Sequence, residues 1–142
     1  MWEGTFQTDT PMEAVWEEYT DASCWHIWTK DIKWATLEGP LRDGAEGRVK
    51  YTGVPASPYR LSGVDRPHSF VIRLRILGGM VKVSFDHALI ARHPEGTTIH
   101  ERIGFGGPLG WLFGLLQRRR IERNWPKAMA QMAERAAERG SP

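Results

Sequence analysis

What this sequence lacks narrows its chemistry first. A single cysteine, Cys24, among 142 residues excludes an internal disulfide framework. The longest nearly apolar run, Pro108 to Leu116, falls far below the ~20 residues that span a bilayer. No basic start leads into an apolar stretch and a small-residue cleavage site, so secretion is not signalled and a cytoplasmic location is expected. Internal repeats and low-complexity segments are missing. So is a strong excess of either charge: 19 Lys and Arg stand against 17 Asp and Glu, a net charge of +2. The basic excess gathers at Arg118-Arg119-Arg120 and Arg123, interrupted by Glu122 and Glu134. With no broader basic stripe and no recognisable module, it reads as a solvated helix face, and no nucleic-acid partner is expected.

Several catalytic signatures are missing as well. There is no Gly-x-Ser-x-Gly elbow, phosphate loop or dinucleotide fingerprint. Gly104-Phe105-Gly106-Gly107 lacks a lysine and reads as a strand end turning into a helix. Cys/His pairs at zinc spacing do not occur. His87 and Glu101 with His68 or His100 would be the imaginable metal set, but strand alternation turns His100 away from the face that carries Glu101. Cys24 has no base fixed beside it and reads as a buried, inert thiol. Neither a metal nor a cofactor is expected.

What is present has the pattern of one globular domain over residues 1–142, with 41% hydrophobic and 25% charged residues. A first strand is expected over Trp2 to Thr8, where Trp2, Gly4 and Phe6 alternate with polar residues. Thr10-Pro11 then signals a helix, with Thr10 as N-cap and Val15, Trp16 and Tyr19 at helical spacing. A second short helix around Ala22 to Trp28 carries Trp25 and Trp28, which read as core plugs. Strands follow at Trp34–Glu38, Gly47–Gly53, Tyr59–Val64 and Ser69–Leu77, separated by turn-rich links. A long helix, roughly Leu109 to Arg139, closes the chain, with a kink or break expected at Pro126. Its apolar stripe is read as Leu112, Leu116, Trp125, Met129, Met132 and Ala136.

The most informative segment is a hairpin. Val81, Val83, Phe85, His87 and Leu89 share one strand face, and Ile99, Glu101, Ile103 and Phe105 share another. The turn His93-Pro94-Glu95-Gly96 fixes their register and sets His87 opposite or diagonal to Glu101. Burying two titratable groups on an apolar face costs free energy unless they are paired, hydrated or used. The fold class is therefore α+β: a half-buried antiparallel sheet of about seven strands packed on one long helix, with two short helices after the first strand. Bends at Gly39, Gly53, Gly63 and Gly104 would curve the sheet and leave space beneath the helix.

Several short motifs carry a family resemblance. Thr10-Pro11-Met12-Glu13-Ala14-Val15-Trp16 is similar to a Pro-x-x-x-Val-Trp opening of a first helix. Trp25-x-x-Trp28-x-x-Asp31 and Leu37-Glu38-Gly39-Pro40-Leu41-x-x-Gly44-x-x-Gly47 resemble a tryptophan-rich second helix and a second-strand turn. Gly96-Thr97-Thr98 before Glu101, and Gly106-Gly107-Pro108 before the last helix, complete the series. In order and spacing the chain resembles the SRPBCC (START-like, helix-grip) superfamily, most of all its polyketide cyclase/dehydrase-like branch. The resemblance implies a helix-grip fold. It leaves the chemistry open, because the superfamily spans aromatase/cyclases, lipid and sterol carriers, quinone-binding proteins and hormone receptors.

Alternation nominates Leu37, Tyr51, Phe70, Ile72, Leu74, Phe85, Leu89, Ile99, Ile103 and Phe105 as cavity wall, with Trp125, Met129 and Met132 from the helix. An apolar wall with a few convergent polar groups suits a small hydrophobic molecule such as a lipid, quinone or polyketide, bound or carried. His87 with Glu101 is the candidate catalytic pair, able to move a proton beside a carbonyl as a cyclase or dehydratase requires. A purely structural hydrogen-bonded pair, or an interaction module with a vestigial cavity, fits the same residues. Trp111, Leu112, Phe113, Leu115 and Leu116, beside Arg118–Arg120, are expected to pack on the sheet. An anionic membrane, a cover for the cavity mouth or a homodimer contact are the other roles this segment could take.

Overall fold

The computed structural model describes residues 1–92 and 96–139, so the expected turn at His93-Pro94-Glu95 lies outside the described residues. The chain runs β1 (Trp2–Thr8), α1 (Met12–Tyr19), a 3₁₀ turn (Ala22–Cys24), α2 (Trp25–Trp28), β2 (Ile32–Leu37), β3 (Glu46–Tyr51), β4 (Ser57–Asp65) and β5 (Ser69–Ile76). A second 3₁₀ turn (Leu77–Gly79), β6 (Val81–Arg92), β7 (Gly96–Gly106) and α3 (Gly110–Arg139) complete it. All seven strands join one antiparallel sheet in the order β1-β7-β6-β5-β4-β3-β2, curled into a half-barrel around α3. This is the α+β architecture that the order of elements predicts, and the helix-grip fold that the family resemblance implies.

Strand burial follows the period of two. In β5, Phe70, Ile72, Leu74 and Ile76 are buried while Arg73 and Arg75 face water. Of the glycines expected to bend the sheet, Gly63 alone lies at a register shift, between Ser62 and Asp65 of β4, with φ of +57°. An L side chain is strained at that φ, so glycine suits the irregularity. Gly39 and Gly53 fall in turns outside the strands, and Gly104 pairs regularly with Ser84.

Two helix details differ from the sequence expectation. Pro11 occupies the cap position of α1 without a side-chain bond, and the Thr10 hydroxyl instead donates to the Ala133 carbonyl of α3. Tertiary contact outcompetes the local cap there. α3 also continues unbroken through Pro126, which lies on the exposed side, where water can serve the carbonyl that loses its donor.

The expected stripe on α3 holds only in its second half. Trp125, Met129, Met132 and Ala136 are buried, but Leu112 and Leu116 are exposed. The reason is phase: from Leu116 to Trp125 the helix turns through about 180° at ~100° per residue, so these two cannot share a face. The buried half packs against α1, where the Glu18 carboxylate, almost wholly enclosed, meets Arg135 at 2.9 Å and Arg139 at 3.0 Å.

Candidate functional site

The site forms where β5, β6, β7, α1 and α3 meet. His87 pairs directly with Glu101 across β6 and β7, and with Phe70 across β5 and β6. On its other side Glu101 faces Gly4 of β1. A Cβ on Gly4 would come within 2.4 Å of Trp2 and 2.8 Å of Trp125. The missing side chain is what lets the two tryptophan rings settle edge to face, 5.2 Å apart, over this part of the sheet.

His87 is locked on every side. Phe70 stacks on its ring at 4.1 Å and Tyr19 meets it edge-on at 4.9 Å. Its Nδ1 lies 3.2 Å from the Phe70 carbonyl, which only accepts, so Nδ1–H is the donor. Its Nε2 lies 2.7 Å from Glu101 Oε1, and the Tyr19 hydroxyl donates to the same oxygen at 3.0 Å. With Nδ1 protonated, the short Nε2–Oε1 contact holds one proton between an imidazole nitrogen and a carboxylate oxygen. The pair is therefore neutral overall whichever atom carries that proton. Both contacts use Oε1, which leaves Oε2 for a bound molecule.

Burial raises the Tyr19 hydroxyl well above its ordinary range, and the Glu101 charge and hydrogen bond reinforce the shift. Tyr19 is thus a neutral donor across the whole physiological range. Tyr51 is raised too, first by burial and then by Glu101, Asp31 and Tyr59, while burial alone raises Tyr59. The Tyr59 hydroxyl donates to the Thr36 carbonyl at 2.5 Å, whereas no side-chain or backbone group among the described residues bonds the Tyr51 hydroxyl.

A cavity of about 310 Å³ opens beside this cluster, between the sheet and α3, and both His87 and Glu101 line it. Of the wall residues nominated from sequence, Tyr51, Phe70, Ile72, Leu74, Phe85 and Ile103 border it from the sheet, and Trp125 and Met129 from α3. Phe105 borders a second chamber of about 120 Å³ under the first half of α3. Leu37, Leu89, Ile99 and Met132 border neither space. Alternation picks the correct face but not the position along it, and α1 packs against β6, β7 and α3. Leu89, Ile99 and Met132 are fully buried core, and Leu37 is half-buried at the far end of β2.

Sequence reasoning missed Tyr19 as a site residue and took Trp25 and Trp28 as core plugs only, although all three line the cavity. Tyr19 lies on the inward face of α1 with Val15 and Trp16, a signal for burial but not for a partner on β7. The polar mouth was missed as well. Lys30, Asp31, Asn124, Lys127 and Gln131 stand there, with Asn124 donating to Asp31 at 3.3 Å and Arg120 pairing with Asp31 at 3.3 Å. Among the described residues, no group of three or more His, Cys, Asp or Glu could hold a metal ion.

A half-barrel sheet gripping one long helix, with a cavity between them, defines a protein of the helix-grip class. The chain belongs to the polyketide cyclase / dehydrase and lipid transport family, whose family model matches residues 2–137. Solved structures agree on the fold. The Zhui aromatase/cyclase from Streptomyces sp. R1128 superposes with a TM-score of 0.74 at 14% identity, over 99% of this chain and 94% of that one. A conserved protein from Geobacillus kaustophilus gives 0.70 at 14% identity, over 96% and 94% of the two chains. The di-domain ARO/CYC StfQ of the steffimycin biosynthetic pathway gives 0.71 at 13% identity, over 97% of this chain and 50% of that one. No curated protein sequence matches the chain significantly. Among the described residues, no helix is long and apolar enough to cross a membrane.

Proposed function

We propose that this protein binds or carries a small, mostly apolar molecule bearing at least one polar oxygen, held between the sheet and α3. The observation that supports this best is the cavity of about 310 Å³, walled by aromatic and aliphatic side chains around Glu101 and Tyr51. Its volume sits at the low end of the ~300–1,000 Å³ usual for small-molecule sites, which favours a compact ring system over a two-chain lipid. Tyr51 offers a hydroxyl donor to a ligand carbonyl and Glu101 Oε2 an acceptor for a ligand hydroxyl, so a polyketide-like molecule or a hydroxyl-bearing quinone suits the lining better than a plain hydrocarbon. Native mass spectrometry of protein purified from its own host tests this. A bound species that denaturation releases is the expected result. Empty protein under every growth condition, with no binding of aromatic polyketides or quinones added in vitro, would sink the reading.

A second reading, cyclase or dehydratase activity, draws on one specific feature: the single-proton His87–Glu101 pair lines the same cavity. In a dehydration, the pair would take the proton from the carbon beside a carbonyl. The electrons of that C–H bond form the C=C bond as the β-hydroxyl departs, and the proton leaves with it as water. The aromatase/cyclase named above lends support through shared fold alone. An enzyme loses turnover in Glu101→Gln while retaining fold and ligand affinity. A carrier shows only altered affinity in His87→Gln.

A further inference from the structure

The first half of α3 presents an apolar face that nothing covers. Trp111 is 68% exposed, Leu115 66% and Leu116 70%, and Leu112 is also exposed. At ~100° per residue these four occupy one outward arc of about 140°, and Arg119 and Arg123 fall within the same arc. The inner side of the same turns does pack: Phe113 meets the Phe105 ring at 6.0 Å, and Phe113, Gln117 and Ile121 line the smaller chamber. The sequence expectation that the whole segment packs on the sheet is therefore corrected. Only the inward residues do so.

The patch extends past the helix. The Leu109 N–H donates to the Met80 carbonyl at 2.9 Å, which ties the 3₁₀ turn after β5 to the start of α3. Leu77, Met80 and Leu109 are all exposed at this end. Leu77 also holds a φ of +53°, a left-handed conformation that leucine rarely adopts. Leaving large apolar groups in water at such a site is unusual in a soluble monomer.

Two acids stand near this face, Glu122 within the same arc and Asp31 beside it, and each is paired with an arginine outside the arc. Arg118 pairs with Glu122 at 3.0 Å and Arg120 with Asp31 at 3.3 Å. Arg119 and Arg123 have no acidic partner among the described residues. From Arg73 to Lys82 the adjoining strand ends add Arg73, Arg75 and Lys82 and no acid. A two-fold interface between copies of this chain would set Arg119 and Arg123 against their own equivalents, whereas an anionic surface neutralises them.

We propose that this end of the molecule docks on an anionic lipid bilayer. Trp111, Leu112, Leu115 and Leu116 enter the headgroup boundary, Leu77, Met80 and Leu109 extend the contact, and Arg119 and Arg123 meet the acidic headgroups. The smaller chamber lies on the inner side of the docking turns, within the ~10–12 Å thickness of one helix from the lipid. The inference stands apart from the cavity's occupant, since an empty cavity leaves the outer face unchanged.

Co-sedimentation tests it, using phosphatidylcholine vesicles and vesicles in which about one lipid in three is phosphatidylglycerol, at about 0.1 M and about 0.5 M salt. Binding is expected to the anionic vesicles only, and to fall at least tenfold at the higher salt. Arg119→Glu with Arg123→Glu, and separately Leu115→Glu with Leu116→Glu, should each abolish binding while thermal unfolding stays unchanged, because all four side chains are exposed. Three results would overturn the proposal: no pelleting of wild type with anionic vesicles, pelleting of either double variant to the wild-type extent, or a wild-type dimer in solution that Leu115→Glu with Leu116→Glu converts to monomer.

Discussion

Replacing Glu101 by Leu should be among the most destabilising single changes in the molecule. Its carboxylate and the His87 imidazole are 7% and 5% exposed, so solvent screening does little for either. Glu101→Leu leaves two buried groups, the Tyr19 hydroxyl and His87 Nε2, without partners. Each orphan costs ~1–3 kcal/mol, for a total of ~2–6 kcal/mol. Glu101→Gln should cost only ~1 kcal/mol, because its carbonyl still accepts from Tyr19 and its amide can donate to a neutral His87 Nε2. A double-mutant cycle separates network from mere burial. Tyr19→Phe alone removes one hydrogen bond to a carboxylate, ~1.5 kcal/mol, but in the Glu101→Leu background it removes an orphan and should restore ~1 kcal/mol. Urea unfolding with unchanged m-values measures all four corners. If Glu101→Leu unfolds within ~0.5 kcal/mol of wild type, or the two changes simply add, the cluster is not the coupled network described here.

Three further predictions rest on other parts of the fold. The chain has 3 tyrosines, and burial raises all three hydroxyls above the ordinary tyrosine value of about 10. The folded state therefore keeps protons that the unfolded chain releases above pH ~10, so their stabilisation is complete below that pH and is lost as pH rises beyond it. Absorbance at high pH should show tyrosine ionising only together with loss of circular dichroism; one tyrosine titrating near pH 10 in native protein contradicts the burial argument. At the α1–α3 contact, Arg135→Ala with Arg139→Ala strands the buried Glu18 carboxylate and should lower the melting temperature clearly. Glu18→Gln should cost less, since both arginines are partly exposed and can hydrate; equal losses in thermal melts would refute this asymmetry. Gly4→Ala should cost ~1–3 kcal/mol by pushing Trp2 and Trp125 apart, and a crystal structure should show Trp125 displaced into the cavity.

The contrast between what was legible in the sequence and what was not has a physical basis. Period-two alternation and one short turn were enough to pair His87 with Glu101, because a hairpin converts sequence distance directly into register. The long helix, the antiparallel sheet and most of the apolar wall followed from local patterns of the same kind. The errors all concern relations between elements. Leu89 and Ile99 have the correct face, yet they are buried in the core away from the cavity, and the packing of other elements decides which stretch of that face stays open. Leu112 and Leu116 obey helical spacing with each other and fail only when phased against Trp125, across a segment with no apolar marker to carry the phase.

Tyr19 shows the same limit at the level of chemistry. It stands 82 residues from Glu101 in the chain, and nothing in either local pattern names the other as partner. Yet its hydroxyl changes what the pair can do. With Tyr19 donating to Oε1 and the Phe70 carbonyl taking the Nδ1 proton, the remaining proton is confined to the Nε2–Oε1 line. A base held this way cannot rotate towards a ligand; the ligand must approach Oε2, or displace Tyr19 from Oε1. Tyr19→Phe therefore distinguishes the two approaches. If the ligand enters at Oε2, affinity is unchanged and only stability falls. If it replaces Tyr19, the variant binds more tightly, because no internal donor competes for Oε1. Isothermal titration with any molecule recovered from the cavity reads the difference, and weaker binding in Tyr19→Phe would contradict both approaches, since it would mean that the hydroxyl itself contacts the ligand.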